Sequence, residues 1–412
     1  MDTLILITKM FPLEKGDIFL NNEIEHLSNN FDRILIFPCS VNKKSRPLIS
    51  LPSNVEVYGL SSRNLTDKIR IFFRMLGNVT NQQDIKVTKG NLRKKIFRSY
   101  FYSSSRLIYK KIKKIIKNNN FTNDNIYLYS YWMYDIALVA IWLKKLFKNN
   151  KVTCITRAHG YDLYEYRNKL NYLPFREYIF ENIDCVYCCS KNGEDYLKNK
   201  YPQYISKITH SYLGTNDNGI HNYTNESENI IVSCSIMDPI KRIDLLIDSL
   251  AILKETEVIF KWYHIGDGVM YEELKNKAEA LLGLDNFTFL GYLSNDKVLD
   301  FYRNSNIKLF INTSSTEGLP VSIMEAISFG IPAVATNVGG TSEIVVDGQT
   351  GILIPSNPTS KEIAEAIHKI ISLEIKDYDE LRINTRQLWE EKYSSKINYL
   401  KFIDNFKEFK CK

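Results

Sequence analysis

Strand-length apolar runs alternate with helix-length amphipathic segments from one end of this chain to the other. Few folds accept that pattern, because parallel strands need long crossovers and a helical crossover covers the sheet it leaves. In the first half the runs predict strands near 3–8, 33–37, 55–58, 126–130, 152–156, 184–189 and 207–212, with helices filling most gaps. The stretch from Gly214 to Asn229 is polar, Asn-rich and almost without apolar residues, and reads as a linker or long surface loop. The alternation then restarts. Strands are expected at 230–235, 258–264, 286–290, 307–312 and 332–336, and helices at 241–254, 270–282, 295–304 and 320–329. The expectation is an α/β chain of two doubly wound units whose C-terminal strand ends, where such sheets bind ligands, face a shared central cleft. The expected boundaries are 1–214 for the first domain, 215–229 for the linker and 230–390 for the second domain. A last helix, 391–412, is expected to pack back toward the first domain.

With 412 residues and 44% apolar content, each half can bury its own core. No stretch approaches the ~18 uninterrupted apolar residues that span a bilayer. The N-terminus enters a strand directly, so a cytoplasmic protein is expected. The seven cysteines are scattered, and Cys185-Val-Tyr-Cys188-Cys189 reads as buried strand rather than a metal or redox pair. The net charge of +7 hides an asymmetry: residues 1–213 carry 34 Lys+Arg against 18 Asp+Glu, while the remainder is acidic.

The most informative stretch is Asn312-Thr-Ser-Ser-Thr-Glu317-Gly318-Leu319-Pro320-Val321-Ser-Ile-Met-Glu325-Ala-Ile-Ser-Phe-Gly-Ile-Pro332. A buried strand ends in small polar residues, and Pro320 suits the first turn of a helix. The amides of that turn suit a diphosphate. Glu317, just before the helix, can accept hydrogen bonds from sugar hydroxyls. Glu325, a little over one turn inside, can reach back to a ribose diol. Spacing alone is equally compatible with an ordinary acidic helix start and a solvated glutamate.

The order E-G-x-P-x-x-x-x-E followed by A-x-x-x-G-x-P, then Gly339-Gly340-Thr-Ser-Glu343-Ile and Asp347-Gly-Gln-Thr-Gly351, resembles the retaining, two-Rossmann (GT-B) glycosyltransferases of family 4 across the second half. The resemblance implies a GT-B architecture of two Rossmann-like domains. It also implies a nucleotide-sugar donor, Glu325 on its ribose, Glu317 on its sugar, and Gly318, Leu319, Pro320 and Val321 around the donor.

Lys241 follows the first strand of the second half. A fixed cation there would offset the charge that grows on a departing diphosphate and could stand in for a metal. Many relatives carry an Arg five residues before this Lys, where this chain has Ile236. Arg242 is therefore a candidate second phosphate contact, or a helix-surface side chain. Gly266 in Gly266-Asp-Gly268 suits close backbone approach to the donor, and Tyr292 is a candidate for stacking on the base. In the first half, His159-Gly-Tyr-Asp162 follows a strand and matches the family's His-Gly-x-Asp order. His159 is expected beside the donor sugar and the acceptor hydroxyl, and Asp162 on the acceptor side. Gly16, in the turn after the first strand, matches an F-P-x-x-x-G variant and is a further candidate for close approach. The resemblance implies a reaction without a metal or another cofactor, and the sequence agrees in that no Asp-x-Asp stands at a strand end.

Residues 85–123 hold 12 Lys+Arg and no Asp or Glu, with Phe97, Tyr100, Phe101, Leu107, Ile108, Ile112, Ile115 and Ile116 at helical spacing. An anionic membrane surface explains this best. A solvated helix on the core and a nucleic-acid site are the alternatives, and no nucleic-acid partner is expected. Cys234-Ser-Ile-Met-Asp-Pro-Ile-Lys-Arg-Ile-Asp244 with Pro320-Val-Ser-Ile-Met-Glu-Ala326 resembles bacterial enzymes that build capsule, exopolysaccharide or O-antigen units, and the resemblance implies transfer of a hexose or N-acetylhexosamine, from a UDP-sugar before GDP-mannose, to a glycan or lipid-linked oligosaccharide. Such transfer would take place at the inner face of a bacterial plasma membrane during surface polysaccharide synthesis. A UDP-sugar epimerase and a non-catalytic partner subunit remain open.

Overall fold

The computed structural model describes residues 1–412 except 43–44, 62–64, 76–81, 120, 122–123, 149, 225–227, 257 and 409–412. Leu4 and Leu6 enter the core on one face of the first sheet and Ile5 and Ile7 enter it on the other, all four fully buried. Burial on both faces is the physical reason their run is continuous rather than alternating. They lie on β1 (Asp2–Thr8), an inner strand of a parallel sheet with β2 (Arg33–Pro38), β3 (Val55–Val57), β4 (Asn125–Ser130), β5 (Val152–Ala158), β6 (Cys185–Cys188) and β7 (Ile208–His210). The order is β3-β2-β1-β4-β5-β6-β7. Helices Leu92–Ile116 and Asp135–Lys144 cover one face, setting Phe101, Ile108, Ile136 and Leu143 in its core. Helix Ser395–Lys407 brings Phe402, Ile403 and Phe406 into the core on the other face.

The second sheet contains β8 (Asn229–Cys234), β9 (Phe260–Ile265), β10 (Phe287–Gly291), β11 (Ile307–Asn312), β12 (Ala333–Thr336) and β13 (Gly351–Ile354). Its order is β10-β9-β8-β11-β12-β13. Strand pairings within both sheets are parallel. The chain divides into two compact units, Met1–Tyr212 with Asn398–Lys412, and Leu213–Ile397. In each sheet the strand order reverses at one place, between β1 and β4 and between β8 and β11. Loops leaving those strands therefore flank the crevice where open α/β sheets take ligands.

Three features differ from the sequence reading. β13 was not expected, because four residues opening on a glycine leave too little periodicity to read. The polar stretch expected to link the domains over 215–229 is in part docked on the second unit. Trp389 Nε1 donates to Thr215 Oγ1 at 2.7 Å, and Arg386 Nη2 reaches both oxygens of Asp217 at 2.8 and 2.9 Å. Its Asn and Asp content thus satisfies a helix, Ile375–Lys392, rather than solvent alone. The apolar stripe of the basic segment is core contact, since Phe101, Leu107, Ile108, Ile112 and Ile116 are buried. Exposed apolar groups lie nearer the N-terminus instead, at Ile69, Phe72 and Phe73 on helix Leu65–Met75 and at Leu92, Ile96 and Tyr100. Among the described residues no helix is long and apolar enough to cross a membrane.

Candidate functional site

The loops after β8 and β11, the two strands at the switch point of the second sheet, are closed onto each other by hydrogen bonds. Thr313 Oγ1 donates to the carbonyls of Lys241 and Arg242 at 3.0 and 3.1 Å, and the Ser315 amide donates to Ile240 O at 2.7 Å. This join brings together residues 76 positions apart: Lys241 Nζ donates to Glu317 Oε1 at 2.7 Å. Lys241 closes a short 3-10 turn, Pro239–Lys241, capped by Asp238, which accepts the Ile240 amide.

Glu317 is nearly buried. Burial alone would raise its carboxyl, but the charge and hydrogen bond of Lys241, with further hydrogen bonds from Ser314 and Asn312, hold it below the ordinary range. It is therefore an ionised carboxylate at neutral pH. Glu325 differs. It lies within helix Val321–Ser328, and its Oε1 accepts from Asn295 Nδ2 at 2.7 Å. Burial pushes its carboxyl up to about 7, against the opposing Asn295 hydrogen bond.

Pro320 stands immediately before this helix, and its carbonyl accepts the amides of Ile323 and Met324. Leu319 and Val321 are buried beside it. Gly318 O accepts the Gly340 amide at 2.9 Å. At Gly339, with φ of 55°, an added Cβ would lie 2.0 Å from Glu317 O. The Gly-Gly pair therefore lets the next loop press on the backbone that aims Glu317.

Arg242 is not a solvated helix-surface side chain. With φ of 51°, its guanidinium donates to the carbonyls of Thr313, Ser314 and Ser356 at 2.6, 2.9 and 3.0 Å. It braces the loop, while the side chain at Ile236 is exposed. Gly266 is likewise a backbone interlock, because a Cβ there would lie 1.8 Å from Ser235 O. Tyr292 is exposed just beyond β10.

In the first unit, His159 follows β5 and is nearly buried, and neither ring nitrogen has a hydrogen-bond partner. Its ring packs on Tyr131 and Trp132, with centroids 4.6 and 4.4 Å away. Asp162, expected on the acceptor side, is fully buried. Its oxygens accept the backbone amides of His159, Gly160 and Met133 at 2.9, 3.0 and 2.9 Å. Burial would raise its carboxyl, but the facing His159 ring, that backbone and Arg176 hold it low. Asp162 positions the His159 loop and is closed to a substrate. Gly16, with φ of 153°, lies against Met10 and lines a cavity with Trp132. Sequence reasoning missed Asn295, Asn312 and Trp132, since isolated polar and aromatic residues at or near the ends of helices and strands carry no spacing signal.

Two Rossmann-like parallel sheets, each with a crevice at its switch point, are the architecture of the GT-B type. Residues 220–388 match the model of the glycosyl transferases group 1. The second half is thus a group 1 glycosyl transferase domain, and the chain is a glycosyltransferase. It is 28% identical over 260 residues to the uncharacterized glycosyltransferase MJ1178 of Methanocaldococcus jannaschii, covering 63% of this chain and 68% of that one. The fold is similar to sucrose-phosphate synthase of Thermosynechococcus elongatus, with a TM-score of 0.76, 15% identity and 99% of each chain covered. It is also similar to Anabaena HepE in complex with UDP-glucose, with a TM-score of 0.65, 14% identity, and coverage of 98% of this chain and 99% of that one.

Proposed function

We propose that the chain moves a hexose or N-acetylhexosamine from a UDP-sugar to a lipid-linked glycan, with retention of configuration and without a metal, in bacterial surface polysaccharide synthesis. The observation that carries this reading is the Lys241–Glu317 pair at 2.7 Å, set between the loops of β8 and β11. An ammonium with two N–H groups still to give suits a diphosphate, and the paired carboxylate suits the hydroxyls of the sugar beside it. Glu325 takes the ribose diol. HepE in complex with UDP-glucose supports uridine before guanosine.

As the C1–O bond to the diphosphate breaks, negative charge grows on the leaving oxygen, and Lys241 stabilises that charge more than the ground state. The acceptor oxygen bonds to C1, and its proton passes to the departing phosphate. His159, whose Nδ1 lies 3.8 Å from Asp162 Oδ2, keeps Nε2 for the donor sugar or the acceptor hydroxyl. Basic and apolar groups exposed on helix Leu65–Met75 and at the start of helix Leu92–Ile116 would hold the enzyme at an anionic cytoplasmic membrane face.

Calorimetric titration with UDP and GDP tests the donor reading. UDP is expected to bind more tightly than GDP, and Lys241→Ala to weaken UDP by about tenfold or more. Absence of binding by either nucleotide would favour a non-catalytic subunit.

A further inference from the structure

Phe175 stands in the left-handed backbone region, with φ of 62° and ψ of 25°, which a bulky side chain adopts only under constraint. The constraint comes from 91 positions earlier in the chain. Asp84, buried on helix Gln82–Thr88, accepts the Phe175 amide at 2.9 Å and the Tyr172 hydroxyl at 2.7 Å, both on Oδ1. Burial raises the Asp84 carboxyl, against the Phe175 amide, the Tyr172 hydroxyl and the Arg98 charge. The Phe175 ring is buried and stacks on Phe101 with centroids 5.9 Å apart, so residue 175 is fixed through its amide and its side chain alike. Tyr172 is fixed in turn, edge-on to Phe97 at 6.3 Å and under Lys94 Nζ at 5.5 Å.

The strained residue delivers Arg176, which opens helix Arg176–Asn182 and is buried. Arg176 Nη1 donates to Met133 O at 3.0 Å, and its Nη2 donates to Asp162 O. Those carbonyls belong to the loops after β4 and β5, which carry Trp132 and His159. The Asp162 carboxylate ties the same two loops through the amides of Met133, His159 and Gly160. Arg176 is thus a second clasp on the loop that Asp162 shapes. A return of Phe175 to an ordinary φ would redirect the helix that begins at the next residue and draw the guanidinium off both carbonyls.

We propose that Asp84 is a positioning residue for His159. Its carboxylate holds Phe175 in the left-handed turn, the turn seats Arg176, and Arg176 with Asp162 fixes the loop from His159 to Asp162. This inference rests on the role given to His159 above.

The test compares the full chain with Asp84→Ala, Asp84→Asn, Tyr172→Phe and His159→Ala. Three readouts are taken: hydrogen exchange by mass spectrometry, slow release of sugar from a UDP-sugar, and UDP titration. In Asp84→Ala, amides of residues 157–164 should exchange about tenfold faster or more, while those of β11 and β12 stay as in wild type. The kcat for sugar release should fall by about tenfold, with KM and UDP affinity within about twofold of wild type. Asp84→Asn keeps the oxygen that accepts both bonds and should restore both the exchange and the rate. Should Asp84→Ala fail to fold, Tyr172→Phe, which removes one of the two bonds and hardly any volume, carries the comparison and should shift both readouts in the same direction. Unchanged exchange at residues 157–164, an unchanged kcat, or a loss in Asp84→Asn as large as in Asp84→Ala would overturn this inference alone. Wild-type sugar release in His159→Ala would instead overturn the role given to His159, and no release by the wild-type chain the transferase reading, each taking this inference with it.

Discussion

Replacing Glu325 with glutamine should make the protein more stable and a poorer nucleotide binder at the same time. The carboxyl is 9% exposed and has one hydrogen bond, from Asn295, and burial raises it from 4.5 to about 7. The folded state therefore binds this proton more tightly than the unfolded chain does. The stabilisation tied to that proton is complete below pH 4.5 and is lost as pH rises through 7. A shift of this size corresponds to about 3 kcal/mol at pH 8. Glu325→Gln keeps the shape and the oxygen that Asn295 bonds, but carries no charge to desolvate. Denaturant unfolding followed by tryptophan fluorescence, including the buried Trp262 of the same sheet, should show the variant more stable by about 2–3 kcal/mol at pH 8. The difference should shrink toward zero at pH 4. Glu23 and Asp84, also raised by burial, are common to both proteins and cancel. Nucleotide affinity should fall by about 10- to 100-fold, the usual cost of losing hydrogen bonds to a charged group. A pH-independent difference, or a variant less stable than wild type at pH 8, would refute the argument that this carboxylate is held against its own solvation.

Gly339→Ala should separate the loop that presses on Glu317 O, lowering the midpoint of thermal unfolding and the UDP affinity together, since φ and space are both unfavourable for a side chain. Arg242→Ala removes three hydrogen bonds to carbonyls and should cost about 3 kcal/mol in chemical denaturation, with a smaller loss of UDP affinity than Lys241→Ala. NMR of the product from an α-linked donor should show an α-linkage, and a β-linkage would remove the retaining assignment. Flotation with anionic liposomes should carry the wild-type chain upward, while a Phe72→Ser, Phe73→Ser double variant stays at the bottom, because both rings are exposed.

Strand and helix positions were largely legible because the strands are buried on both faces. Runs such as Leu4–Ile7 and Ile230–Val232 leave a continuous apolar mark. β13 left none at four residues. The positions of Glu317 and Glu325 were legible from the strand-to-helix junction, but not their opposite electrostatics. Those depend on Lys241 and Asn295, 76 and 30 residues away in sequence. Arg242 and Asp162 show the same limit. Each looked available for substrate as a letter, yet one is bound to three carbonyls and the other to three amides. The basic segment carried a true helical periodicity, but periodicity marks an apolar face without saying what covers it.

The most direct test of the donor site is release of free sugar from a panel of UDP- and GDP-sugars by the purified chain, measured without acceptor. Slow hydrolysis of one UDP-sugar, lost in both Lys241→Ala and Glu317→Ala, is the expected result. Hydrolysis that survives both substitutions would contradict the assignment of the Lys241–Glu317 pair to the donor.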